Sequence, residues 1–249
     1  MYSLIKSQLL NPLYDTYSVL IATTKYISFY KSELLTRLAV PCVLFMMFAF
    51  IGQYYNIHPL ASTLVLIILL MKTAMVIHRV FILGPEAVPK YGIDKFNKRE
   101  LNYVSLQVLS ILVIMIVPIL ILTITSNILT VDDWPNNAVE QSISLFQWVA
   151  YYLVARASLL FPAVSIDKKL TLRQAWVASS QYKLLLFSTV ALIPFVITSL
   201  AKFLLSDVNL HWLSMAMFLI VTMYTVAILS IVYKRIDDEI SLSKDDAIH

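Results

Sequence analysis

Glycine is nearly missing from this chain: Gly52, Gly84 and Gly92 are the only three in 249 residues. Phosphate-cradling loops need clustered glycines for tight turns and close backbone approach, so such loops are excluded. The same scarcity removes GxxxG packing and leaves Ala, Ser and Thr to bring helices together. Cysteine is scarcer still. The single thiol, Cys42, lies in an apolar run; one thiol makes neither a disulfide framework nor a metal cluster. It reads as a small buried hydrophobe. The histidines, His58, His78, His211 and His249, are scattered and lack metal-ligand spacing. G-x-S-x-G and H-E-x-x-H are absent. No catalytic residue, cofactor or metal is therefore expected, and an intramembrane enzyme is the weakest functional reading. The paired carboxylates Asp132–Asp133 and Asp237–Asp238–Glu239 read as solvated runs in a polar loop and tail.

Charge is the other deficit. Only 14% of residues are charged and 59% are hydrophobic, against ~25% and ~45–50% in soluble domains. Lipid is the solvent such a chain fits. A span needs ~20 apolar residues to cross a hydrocarbon core of ~30 Å. Backbone groups in lipid must bond internally, so only helices or closed barrels cross. Barrel strands alternate polarity over ~10 residues; the apolar runs here are about twice that length. The expected fold is an all-α polytopic membrane bundle of about six transmembrane helices. The spans fall near 36–55, 60–83, 104–127, 143–163, 184–205 and 211–233. An N-terminal interfacial segment (1–35) would precede this domain (36–233), and a polar tail (234–249) would follow it. The first residues, MYSLIKSQLLNPLYD, lack the apolar stretch and cleavage site of a secretory signal.

Where the cations lie sets an expected orientation. The segments before the first span, between the second and third, between the fourth and fifth, and after the sixth hold Lys6, Lys25, Lys31, Lys90, Lys95, Lys98, Arg99, Lys168, Lys169, Arg173, Lys183, Lys234, Arg235 and Lys244. Arg37, Arg79 and Arg156 lie at span ends on that side, and the opposite side holds only Lys202 and the acidic loop TVDDWPNNAVEQ. The positive-inside rule then puts both termini in the cytoplasm. The formal charge of +4 is modest and spread beside spans, so nucleic acid is not an expected partner. Membrane lipids are, with other membrane proteins as further candidates.

Two segments have interfacial character. In LYDTYSVLIATTKYISFYKSEL, Tyr17, Leu20, Ile21, Thr24, Ile27 and Leu34 share one helical face, while Asp15, Ser18, Ala22, Lys25 and Ser32 share the other. In KKLTLRQAWVASSQYK, Thr171 and Gln174 have capping-box spacing, and Trp176 suits a membrane interface.

The chain also repeats itself. Pro41 and Pro118, Arg79 and Arg156, and Pro85 and Pro162 each lie 77 residues apart, and Pro194 lies 76 after Pro118. Each unit reads as a cytoplasmic helix, a span with a proline, a short loop and a returning span with a basic end. Three parallel hairpins of about 77 residues, packed around a pseudo-threefold axis, are the expected arrangement. Chance resemblance among hydrophobic hairpins is the alternative.

Lys72 stands near the middle of the second span, in LVLIILLMKTAMVIHR. Intramembrane charges usually face a bundle interior or a wet cavity. Arg79 is seven residues on, on the same face and ~10 Å along the axis. A cavity lined by both would attract an anion such as a lipid phosphate; the competing reading is snorkelling of the lysine. No carboxylate within a span is expected to pair with Lys72, and position 149, 77 residues on, is a valine. Arg79 and Arg156 are expected at headgroup level, anchored to phosphates or interfacial helices. Lys72, Arg79 and Arg156 are thus the candidates for anion or lipid-headgroup binding. Pro85 and Pro162 are expected where helices leave the membrane, and Pro41, Pro118 and Pro194 at kinks.

The stretch YYLVARASLLFPAVSIDKKLTLRQAWVASSQYKLLLFSTVALIPFVITSL resembles the bacterial YciC-like inner-membrane proteins. It is also similar to the membrane domain attached to some glycerophosphodiester phosphodiesterases. The likeness lies in a span ending at Leu160–Ala163, an amphipathic helix around Leu172–Trp176 and a Leu-rich span opening at Leu184–Leu186. The chain departs by its few glycines. It carries no soluble phosphodiesterase domain, so that activity is not carried over. The resemblance implies a multi-pass bacterial inner-membrane protein tied to envelope or lipid homeostasis. The functional expectation is a non-enzymatic scaffold or accessory factor. The alternative is a small transporter or lipid-handling protein with a cavity around Lys72 and Arg79.

Overall fold

The computed structural model describes residues 11–55, 58–92, 94–128, 138–180, 182–205 and 211–245. Lys6, the Asp132–Asp133 loop and His249 lie outside the described residues, as does the Lys202 side chain. Ten helical elements follow among the described residues: α1 (Asn11–Phe29), α2 (Lys31–Tyr54), α3 (Pro59–Leu83), α4 (Lys98–Ile128), α5 (Ala138–Ala157), α6 (Leu160–Ser165), α7 (Leu172–Ala178), α8 (Lys183–Phe187), α9 (Ile193–Leu205) and α10 (His211–Asp245). A 3-10 turn, Pro85–Ala87, follows α3, and a π turn, Ser188–Leu192, joins α8 to α9. Six segments are long and apolar enough to cross a membrane: Lys31–Gly52, Ala61–Leu83, Lys98–Ile124, Ser142–Ser165, Lys183–Leu200 and Leu213–Asp238. The fold is that of a multi-pass helical membrane protein, as the long apolar runs predict.

Several boundaries differ from the sequence expectation, each for a local reason. The third span starts at Lys98 rather than 104. Asn97 Oδ1 accepts from the Arg99 amide (2.9 Å) and Glu100 Oε2 accepts from the Asn97 amide (3.1 Å), a reciprocal cap that nucleates the helix early. The fourth span breaks after Ala157 and resumes as α6, so Pro162 is the third residue of a short helix rather than an exit point. A proline is tolerated there because first-turn amides have no intrahelical acceptor. Pro85 does mark an exit, after Gly84 at φ 94°. Pro41 and Pro118 sit inside α2 and α4. Pro194 follows directly on the π turn, which accommodates the bond its missing N–H cannot make. The expected polar tail is helical through Asp245, a continuation of α10.

Burial is concentrated at one end of the bundle. In α3 the buried residues run from Met71 to Phe81, in α5 from Ala150, in α8 they are Leu185 and Leu186, and in α10 they extend to Ile236. The opposite halves carry exposed Met47, Phe50, Leu64, Met115, Ile119 and Leu200. The buried end also carries Arg37, Arg79, Arg99, Arg156, Lys168 and Arg235, and is the basic end hereafter.

α1 is docked there. Its buried side is Val19 and Thr23, packed towards Leu229, Val232 and Tyr233 of α10. Tyr17 and Ile21, on the face expected to meet lipid, are exposed. One face of the helix thus meets the bundle and another, with Tyr17 and Ile21, is left exposed. Tyr26 stacks on Phe81 at 4.6 Å and donates to the Val80 carbonyl at 3.3 Å. Burial and the neighbouring Tyr30 push its phenol up to about 12, so it remains a neutral donor.

Three hairpins succeed one another along the chain, but their packing is unequal. α3 lies along α10, whereas α5 packs on α4, α7, α8 and the π turn. The leading segments also differ: nineteen residues of helix in α1, irregular backbone over 94–97 before α4, and seven residues in α7. The His78 ring and Ser230 Oγ, 2.7 Å apart, join α3 to α10. The lone thiol of Cys42 is half-buried, 3.9 Å from Met223 Sδ.

Gly92 (φ 67°) lets the loop after α3 close over α2: an added Cβ would lie 2.0 Å from the Arg37 carbonyl oxygen. Gly92→Ala should destabilise the protein in mild detergent by more than ~2 kcal/mol. Gly84→Ala, with nothing within 4 Å of the added atom, should cost less than Gly92→Ala: only the strain of a backbone at φ 94° and ψ 165°, on the order of 1–3 kcal/mol, without the clash. Equal melting temperatures for the two variants would show that the Arg37 contact does not constrain the loop.

Candidate functional site

The basic end is assembled from side chains that the sequence scatters over 200 residues, from Arg37 to Asp237. At its centre is Glu100, 1% exposed, in the first turn of α4. Lys72 Nζ donates to Glu100 Oε1 at 3.3 Å and to the Asp94 carbonyl at 3.2 Å. Arg99 donates to the same Glu100 oxygen (3.2 Å) and to Asp167 Oδ2 (3.1 Å), and its guanidinium lies 3.5 Å from Asp94. The Lys72 ammonium also lies 5.8 Å from the Phe96 ring centre.

Lys72 is therefore paired, contrary to the expectation that it has no carboxylate partner. The reason is the early start of α4, which puts Glu100 at the depth of Lys72. The last three turns of α3 then run on past that level, with residues 84–92 folded back beside them. Arg79, on those turns, donates to the Ala87 carbonyl (2.8 Å) and the Ser165 carbonyl (3.4 Å), and lies 3.9 Å from Asp167. The cavity touching Lys72, Arg79, Arg99 and Glu100 has a volume of about 20 Å³, the size of a single water. Lys72 and Arg79 do share a face, but that face is turned to protein.

Arg156, 6% exposed, is built into a different joint. It donates to Ser179 Oγ (2.7 Å), to the Tyr152 hydroxyl (3.2 Å) and to the Trp176 carbonyl, and its guanidinium lies 4.3 Å above the Trp176 ring. The helix it holds, α7, begins with the capping box expected at Thr171 and Gln174. Arg37 makes a similar clasp on the Val88 carbonyl and on Glu33. Arg235 donates to Ser18 Oγ of α1 at 3.2 Å. Each returning span thus ends in an arginine that holds a short segment outside it, which is the structural counterpart of the repeated Arg79 and Arg156. Guanidinium groups suit this task because their planar donors can bridge two acceptors and stack on a ring.

Glu100, Arg99, Asp94 and Asp167 were not singled out in the sequence. The signal for Glu100 was present as Asn97-Lys98-Arg99-Glu100, a capping-box spacing ahead of an apolar run. Asp94 and Asp167 carry no such signal; loop geometry alone brings them in. Comparison with known proteins finds no matching protein family, no matching curated protein and no matching solved structure. Fold and site together define a class: a multi-pass helical membrane protein with an ion-paired, tightly packed basic end.

Glu100→Gln should destabilise the protein by about 3 kcal/mol, because it leaves a buried ammonium and guanidinium short of a counter-charge. Adding Lys72→Met should recover part of that loss, read from melting temperatures of the single and double variants in detergent. Additive losses would mean that the two groups do not interact. Arg156→Lys keeps the charge but loses the forked contacts; protease cleavage within 166–182 should then be faster than in the parent protein, and unchanged cleavage would count against the clasp.

Proposed function

We propose that this protein is a non-enzymatic scaffold or accessory factor of a bacterial inner membrane, acting in envelope or lipid homeostasis. It meets lipid and membrane partners through α1, α7 and the basic end. Both termini lie in the cytoplasm in this reading. The observation that carries it is the use made of the basic end's charges. Lys72, Arg79, Arg99 and Arg156 are consumed in ion pairs and carbonyl bonds that fix loops onto spans. The space beside Lys72 and Arg79 holds about 20 Å³, which favours a rigid layer over an access path for a transported anion. The orientation is supported by the distribution of lysine and arginine. The inner-membrane assignment is supported by the YciC-like pattern at Leu160–Ala163, Leu172–Trp176 and Leu184–Leu186.

The runner-up, a lipid-handling protein, draws on a different observation. Two apolar grooves flank the spans, one of about 590 Å³ between α1, α2, α3 and α10, the other of about 680 Å³ between α4, α5 and α6. A single assay separates the two readings. Purified protein reconstituted into vesicles containing a fluorescent phospholipid should leave the lipid's transbilayer movement at the protein-free rate. Acceleration abolished by filling the α4–α5 groove, for instance with Ser110→Trp, would replace the scaffold reading with the lipid-handling one. In cells, a fluorescent protein fused after residue 249 should fluoresce and a periplasm-dependent phosphatase fused there should be inactive; the reverse would invert the orientation.

A further inference from the structure

On the far side of α7 from the Arg156 clasp is a cavity of about 900 Å³, larger than the two apolar grooves. Its walls combine Lys168, Lys169 and Arg173 with Leu159, Leu170 and Val177. Tyr233 and Asp237, one turn apart on α10, complete it. Lys168 is paired with Asp237. Lys169 and Arg173 have no ion-pair partner among the described residues, in contrast to the spent cations of the ion-paired cluster. Tyr233 is 4% exposed, and its hydroxyl is buried without a hydrogen-bond partner among the described residues. Buried hydroxyls are normally satisfied, so an unpartnered one just behind the wall of a cavity rimmed by unpaired cations marks a place for an acceptor.

We propose that this cavity binds the phosphate-bearing headgroup of an anionic phospholipid. The inference rests on the lipid-contacting reading above and gives it an address. Three basic side chains against one carboxylate select an anion, and Lys169 and Arg173 supply charge-assisted donors for phosphate oxygens. A small turn of the Tyr233 ring, whose edge lines the cavity, brings its buried hydroxyl out to donate to a headgroup oxygen. A lipid is favoured over a free anion by what lies next door. The apolar groove of about 680 Å³ shares Leu170 with this cavity and is lined along α4 by Leu106, Leu109, Val113 and Val117. Charged cavity and apolar groove thus adjoin across the start of α7, with the groove following a membrane span. That is the division an amphiphile requires. The volume is of the size that small-molecule headgroups occupy.

The test uses the full chain in detergent, titrated separately with dioleoyl phosphatidylglycerol and dioleoyl phosphatidylcholine and read by native mass spectrometry. One saturable phosphatidylglycerol adduct is expected, at about tenfold higher affinity than phosphatidylcholine. Lys169→Ala with Arg173→Ala should abolish that preference. Tyr233→Phe should weaken phosphatidylglycerol binding by about tenfold without lowering the melting temperature, since it removes only an unpartnered hydroxyl. Lys90→Ala with Lys95→Ala, basic residues of the same end, should change nothing. Equal affinity for the two lipids, or wild-type binding in all variants, overturns the site. Inorganic phosphate that displaces the lipid at equal concentration would overturn the lipid assignment. Accelerated lipid movement in the vesicle assay would sink the scaffold reading while leaving this site standing, so the two failures are distinguishable.

Discussion

A carboxylate with 1% exposure at the mouth of a membrane span is costly unless cations and amides surround it. Glu100 has both: Lys72 from α3, Arg99 from its own turn and the Asn97 amide behind it. That requirement sets the depth at which α4 begins. With Glu100 level with Lys72, the eleven residues after Lys72, through Leu83, extend ~16 Å beyond that level. The loop over residues 84–92 returns along those turns, and the Ala87 and Val88 carbonyls become the acceptors for Arg79 and Arg37. Gly92 is where that loop passes closest to α2. One buried charge therefore dictates the geometry of the α2, α3 and α4 ends.

The uneven packing follows from the same physics. Lipid tails are as apolar as leucine, so apolar contact between spans gains little over contact with lipid. Polar contacts have no such competitor. The basic end supplies many: His78 to Ser230, Arg156 to Ser179, Thr24 to Tyr224. Helices held together there are free to present Met115, Ile119, Phe195 and Leu200 outward at the other end. Stability in this protein is local to one membrane face, and loops at that face carry the packing that a soluble domain would place at its centre.

The sequence made the spans legible because length and apolarity are properties of single segments. It also marked the Thr171–Gln174 cap, which is local. The start of α4 was missed although Asn97 and Glu100 have the same spacing, since charged residues before an apolar run look like loop. Lys72 was placed correctly near the middle of its span, but its partner Glu100 was missed, because which residue of the next span lies beside it is written in neither segment alone. The buried face of α1 was also not read: Val19 and Thr23 belong to neither of the two faces that the pattern suggests, and they were chosen by α10 rather than by periodicity.

Charge counting treats every lysine and arginine as equivalent, and the structure divides them by use. Arginines that fasten segments point into protein: Arg37, Arg79, Arg156 and Arg235 all meet carbonyls or hydroxyls. A cation so held offers little to a phosphate, since protein carbonyls and hydroxyls already engage its guanidinium. The residues left for a membrane surface are those outside the network; Arg173 on α7 and Lys169 just before it border the Tyr233 cavity, on the side away from Arg156. The candidates picked for their odd position in the sequence are thus the ones the fold needed for itself. The cations that looked ordinary, because they stood in an evidently polar loop, are the ones with donors to spare.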